Sequence, residues 1–224
     1  MAMVVAIDGP AGAGKSSVAH SVAERCGLML VDTGAIYRSV AYVGIREGIS
    51  TDDAKSLADI ARVLRFRFET TSTGNRIFVD DEDVSDAIRA RDVALAASRV
   101  SQHAPVRDAL MDVQRSLGTQ SGGAVLEGRD IGTVVFPDAH VKVFLTASAE
   151  ERARRRAIEL ETTGQMAPYD VILDEIRRRD KADTERPVAP LVQAVDAVLV
   201  DSSYLTEREV VDSIVNLVNE ARTR

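Results

Sequence analysis

The chain has 224 residues, enough for one domain with excursions or two small ones, and its apolar fraction of 45% suffices for a core. A net charge of −7, no tryptophan, four tyrosines and five phenylalanines argue against nucleic acid as a partner and against a base-stacking platform. A lone cysteine, Cys26, excludes an internal disulfide, and no apolar run is long enough for a signal or membrane segment, so a cytoplasmic protein is expected.

The first element is the β-branched run ending at residue 8, which reads as a buried parallel strand. Directly after it comes Gly9-Pro10-Ala11-Gly12-Ala13-Gly14-Lys15-Ser16-Ser17, followed by a helical pattern over 15–26. A strand, a glycine loop and a helix start make a nest of backbone N–H donors for phosphate, with the helix dipole behind it. Gly12 and Gly14 let the backbone approach an oxygen closely. Lys15 then reaches the β/γ-phosphates, and a hydroxyl from Ser16 or Ser17 is expected to hold Mg²⁺. The spacing predicts a nucleoside triphosphate site.

Strand patterns follow at 28–32, 124–127, 141–146 and 197–201. Helical patterns lie between them at 34–47, 53–64, 105–117, 149–163, 169–184 and 205–222. This alternation predicts an α/β fold, a parallel sheet with helices on both faces. Ligands then gather at the carboxyl ends of the strands, where Asp8, Asp32, Glu127 and Asp201 fall. One stretch departs from the pattern: 66–71 and 76–80 alternate with period two around Ser72-Thr73-Gly74-Asn75, predicting an antiparallel hairpin. An inserted subdomain over about 61–100 is expected there, inside one core domain.

Three constellations can carry chemistry. In Asp32-Thr33-Gly34-Ala35-Ile36-Tyr37-Arg38, Thr33 reads as a helix N-cap, and Arg38 as either a surface arginine or a phosphate ligand. In Glu127-Gly128-Arg129-Asp130-Ile131-Gly132-Thr133, adjacent Arg129 and Asp130 form either a structural pair or a ligand site. The two late helices are dense in arginine: Arg152, Arg155 and Arg156 on one face, then Arg179, Asp183 and Arg186 before Pro187. A solvated face with i,i+4 pairs such as Arg179–Asp183 is one reading; a mobile lid bringing guanidinium groups onto a transferring phosphoryl is the one favoured. The three histidines, His20, His103 and His140, lack ligand spacing.

Together these motifs, with Arg186-Pro187-Val188-Ala189-Pro190-Leu191, resemble the bacterial cytidylate kinases, members of the nucleoside-monophosphate kinases, along nearly the whole chain. The resemblance implies a P-loop nucleoside-monophosphate kinase fold: five parallel strands, a small antiparallel β insert and a helical lid over about 149–187. It implies transfer of the γ-phosphoryl of ATP to CMP or dCMP, with Mg²⁺, by an expected monomer. Arg38, Arg129 and Arg186 would hold the acceptor phosphate, Arg179 and Asp183 the ribose, and Ser98, Arg107 and Asp130 the cytosine edge, with Thr33 and Tyr37 beside them. Lys15, Arg129, Arg155, Arg156 and Arg186 would act on the phosphoryl in flight. Thr33 stands where relatives often carry serine, and Glu127 where many carry aspartate.

Rival readings have their own marks. Asp180-Lys181-Ala182-Asp183 lacks the asparagine of a guanine-reading motif, and the 141–146 strand ends in Thr146 rather than a Walker-B-type aspartate. Both argue against a nucleotide-driven switch. Another small-acceptor kinase, for AMP or shikimate, is the nearest alternative.

Overall fold

A computed structural model describes residues 2–71, 74–162 and 164–223. Strand β1, Met3–Asp8, is the centre of a five-stranded parallel sheet, because its side chains find apolar partners on both faces. Val4 and Ala6 enter one core, and Val5 and Ile7 the other. The remaining strands are β2 (Met29–Asp32), β6 (Gly123–Gly128), β7 (Val141–Thr146) and β8 (Val198–Asp201), in the order β2-β6-β1-β7-β8. Helices α1 (Lys15–Cys26) and α8 (Glu207–Arg222) cover the second core. Cys26 is buried there as a small hydrophobe.

The first core is roofed by α2 (Thr33–Arg46), α3 (Ala54–Val63), α4 (Arg91–Val100) and α5 (Ala104–Thr119). Between α3 and α4 the chain forms an antiparallel sheet of β3 (Phe66–Thr71), β4 (Gly74–Val79) and β5 (Glu82–Asp83). Its hairpin matches the expected period-two pattern; Ser72 and Thr73 of the expected turn lie outside the described residues. The third strand and α4 were not expected. Asp80 and Asp81 both take positive φ (47° and 70°), which turns β4 into β5 and removes Asp80 from the strand.

The two arginine-rich patterns form helices α6 (Ala149–Thr162) and α7 (Tyr169–Glu185), which pack against each other. Residue 163 of the first pattern lies outside the described residues. Two of the histidines have structural partners: Nδ1 of His140 accepts from the Val4 N–H at 3.2 Å, and Nε2 of His103 lies 2.7 Å from the Thr51 carbonyl. Among the described residues no helix is long and apolar enough to cross a membrane.

Gly9 shows how tightly the phosphate loop leaves the sheet. A Cβ there would sit 1.9 Å from the Leu145 carbonyl oxygen of β7, at a φ of 151°. Gly9→Ala is therefore expected to push β1 and β7 apart and destabilise by about 3 kcal/mol or more, lowering Tm by roughly 10 °C. A calorimetric scan within 2–3 °C of wild type, the shift of about 1 kcal/mol, would contradict this packing.

Candidate active site

The loop over residues 9–14 ends on Gly14, whose left-handed backbone (φ 89°) starts α1 without a side-chain cap. The first N–H groups of α1 are thus left to serve an anion. Lys15 is buried, and its Nζ donates to the Pro10 carbonyl at 2.7 Å. Burial, then the charge of Arg129, lowers its pKa to about 7, with Glu127 acting the other way.

Beside this loop, at the carboxyl ends of β2, β6 and β1, lies a cavity of about 250 Å³. All ten acceptor residues expected from the sequence line it, contributed by α2, α4, α5, the turn after β6, α7 and the segment after α7. Arg107 and Arg186 both engage Asp130, the latter at 3.3 Å. Arg129 donates to Asp183 at 2.7 Å, and Arg38 to Asp32 at 2.7 Å. Arg129 and Asp130 therefore do not pair with each other; each takes a partner from another element. Nor does Asp183 pair with Arg179 along the helix. Arg179 makes no ion pair or hydrogen bond among the described residues, and desolvation, then Arg129, lowers its pKa although its side chain is exposed at the cavity mouth. The Arg107 guanidinium lies 5.4 Å from the Tyr37 ring centroid, a cation–π support from below. Ser98 reaches the cavity from α4.

One detail corrects the sequence reading. The N-cap of α2 is Asp32, whose Oδ1 accepts from the Ala35 N–H at 2.9 Å. Thr33 is already helical, and its hydroxyl donates to the Glu127 carbonyl at 2.7 Å, tying α2 to β6. Glu127 ends β6, the strand beside β1 on one side, as the strand-end reading of the sequence placed it, while β7 on the other side ends in Thr146. Glu127 is buried opposite Asp32 in the β2–β6 register. Burial, then Asp32, raises its pKa to about 7, against the pull of Lys15 and a hydrogen bond with Ser16.

Arg155 and Arg156 lie elsewhere. They line a second cavity of about 560 Å³ on the far side of the glycine loop. Arg155 donates to the Ser202 carbonyl at 2.6 Å and to Glu151 at 2.9 Å, while Arg156 pairs with Glu159 at 2.7 Å. Arg152, expected on one face with Arg155 and Arg156 but given no individual role, is buried and holds the Ala11 carbonyl (3.1 Å) and both oxygens of Asp180. It fixes the glycine loop to both α6 and α7. Its place on one face with Arg155 was the only signal in the sequence.

Lys15 and Ser16 line both cavities, so anions bound in the two meet at these residues. Two arginine-lined clefts joined at a P-loop lysine suit a phosphotransferase that acts on a phosphorylated acceptor. The sequence profile described as cytidylate kinase matches residues 5–220. The chain belongs to the cytidylate kinase family.

Relatives match nearly the whole of this chain. A cytidylate kinase of Geobacter sp. is 48% identical over 218 residues, covering 97% of this chain and 93% of the relative. One of Exiguobacterium sp. is 46% identical, covering 97% of each. A bifunctional pantoate ligase/cytidylate kinase of Synechococcus sp. is 46% identical over 99% of this chain, which corresponds to 41% of that longer protein. Among solved structures, an uncharacterized protein of Eubacterium ventriosum shares the fold, with a TM-score of 0.52 at 12% identity over 97% of this chain and 98% of the other.

Proposed function

We infer that this enzyme moves the γ-phosphoryl of ATP onto the phosphate of CMP or dCMP, giving CDP or dCDP and ADP. The observation that carries the acceptor assignment is Asp130, a buried carboxylate that lines the cavity flanked by Arg107 and Arg186. Cytosine presents an exocyclic amino donor beside the N3 and O2 acceptors, so its pocket needs a carboxylate and a donor together. Uracil reverses two of these groups, and each buried mismatch costs about 1–3 kcal/mol.

Arg38, Arg129 and Arg186 hold the acceptor phosphate, Arg179 and Asp183 the ribose, and Ser98 joins Arg107 and Asp130 at the base. The acceptor phosphate has a second pKa near ~6, is largely dianionic at neutral pH and needs no strong base. These residues orient it in line and offset the repulsion between two anions. Lys15 and the loop amides of Gly9 to Ser17 hold the donor. Arg155 and Arg156 sit over the donor cavity, and we assign them to the lid, about 149–187, which closes with the insert, about 61–100, to exclude water.

The residues fit Mg²⁺. Ser16, Glu127 and Asp32 offer the hard oxygen ligands this ion prefers, directly or through water, and Ser16 lines both cavities while Ser17 lines only the donor one. The ion, when bound, neutralises charge on the donor phosphates. A monomer in the cytoplasm completes the proposal.

A coupled ADP-release assay with CMP, dCMP, UMP, AMP and GMP tests it. Turnover confined to CMP and dCMP is the expected result. Preference for another acceptor would discard the roles of Ser98, Arg107 and Asp130, and acceptor-independent ADP release would overturn the transfer reaction.

A further inference from the structure

Asp8 ends β1, one residue before the glycine loop, and is buried. Its Oδ1 accepts the Ile131 N–H at 2.8 Å and its Oδ2 the Gly132 N–H at 2.7 Å. Those two donors open a single π-helical turn, Ile131–Val135, whose first N–H groups have no partner within the turn. An aspartate in the preceding position ordinarily folds its own carboxylate back onto them. Asp130 holds that position and does not: its side chain makes no bond to its own turn, and the carboxylate instead engages Arg107 and Arg186.

We propose that Asp8 is a specificity-positioning residue, capping the 131–135 turn from β1 so that the Asp130 carboxylate is free to face the acceptor base. The proposal rests on the reading of Asp130 as the group that reads cytosine. Asp8 does not touch the substrate; it acts through Asp130. Without its two acceptor oxygens, the nearest carboxylate for Ile131 and Gly132 is that of Asp130 itself, which would rotate out of the cavity.

The arrangement also joins the two halves of the site. Asp8 leads into the donor loop, while the turn it caps directly follows Arg129 and Asp130 on the acceptor side. The charged groups facing Asp8 are Asp130 and Lys15, and the alkyl chain of Lys142 packs on the Gly132 side. Burial raises the Asp8 pKa to about 6, against the pull of the two N–H groups, so it is a carboxylate at pH 7.5. Once protonated, one of its oxygens becomes a donor and can no longer serve an N–H.

The test compares kcat/KM for CMP and UMP in wild type, Asp8→Asn, Asp130→Asn and the double variant. Asparagine keeps the shape of Asp8 but turns an amino group toward one N–H. The expected result is a fall of about tenfold in the CMP:UMP ratio for Asp8→Asn, with the KM for ATP unchanged. The double variant should then match Asp130→Asn alone, because both act through one carboxylate. An unchanged ratio in Asp8→Asn, or a double variant whose losses multiply, overturns the proposal. If Asp130→Asn itself leaves the ratio unchanged, the base-reading assignment fails first and takes the proposal with it. Should Asp8→Asn fail to fold, the wild-type ratio between pH 7.5 and 5.5 decides. Titration of the acceptor phosphate cancels in that ratio, so a fall toward acid pH supports the capping role and a flat profile rejects it.

Discussion

Lys15→Met is expected to cut kcat about a thousandfold and, in the same protein, to raise the melting temperature. The rate loss follows from removing the buried ammonium that lines both clefts; one preorganised charge at developing phosphoryl charge accounts for about 4 kcal/mol of barrier. The gain in stability follows from the lowered pKa. The ordinary lysine value is 10.5 and the folded value about 7, so between them the unfolded chain binds the extra proton. Stability therefore rises with pH across that window, and the penalty is fully present below about 7. Methionine removes the penalty at neutral pH, and Glu127 takes up a proton in place of its lost partner. Calorimetry of both proteins at pH 6.5 and 9.5 checks the sign: the Tm difference should be large at the lower pH and shrink at the higher. A variant less stable than wild type at pH 6.5 would mean that Lys15 sits comfortably charged.

Arg186→Ala should lose roughly 10²–10³ in kcat/KM for CMP while Tm falls by only a few degrees. The arginine follows α7, is buried, and donates through Nε to the Ala189 carbonyl at 2.6 Å. Ala189 adopts φ 49°, an uncommon backbone for a residue with a Cβ, which aims that carbonyl at the guanidinium. Removing Arg186 does not orphan its carboxylate partner, because Asp130 keeps Arg107. That is why the expected cost to folding is small beside the cost to rate. Arg186→Lys should rescue little, since an ammonium cannot reproduce the planar fork. Near-wild-type kcat/KM in Arg186→Ala would remove it from the phosphate site.

Much of this was readable beforehand because it is local. The strand, glycine loop and α1 are contiguous, so periodicity and backbone chemistry placed them together. The insert hairpin betrayed itself by period two. Helix α4 escaped because Ala90 precedes it with no capping side chain, although Val93, Ala96, Ala97 and Val100 carry the helical spacing. What could not be read is pairing across the fold. Nothing in the chain order says that β6 inserts between β2 and β1 and brings Glu127 to Lys15. Likewise, the partners of Arg129, Arg107 and Arg152 lie 54, 23 and 28 residues away, beyond any helical spacing.

The ion pairs inside the acceptor cavity carry one more consequence. A nucleotide entering there meets Arg38, Arg129, Arg107 and Arg186 already held by Asp32, Asp183 and Asp130. On the proposed assignment Arg38, Arg129 and Arg186 each exchange a carboxylate for the acceptor phosphate, so a single contact gains only the small difference between two charge-assisted bonds. Inorganic phosphate alone is then a poor competitor, whereas a ligand with phosphate, sugar and base displaces several partners at once. On the same assignment, these aspartates would also limit futile hydrolysis. An ATP that arrives first finds the arginines still in their grip, and water gains no help as an acceptor until a nucleotide has released them.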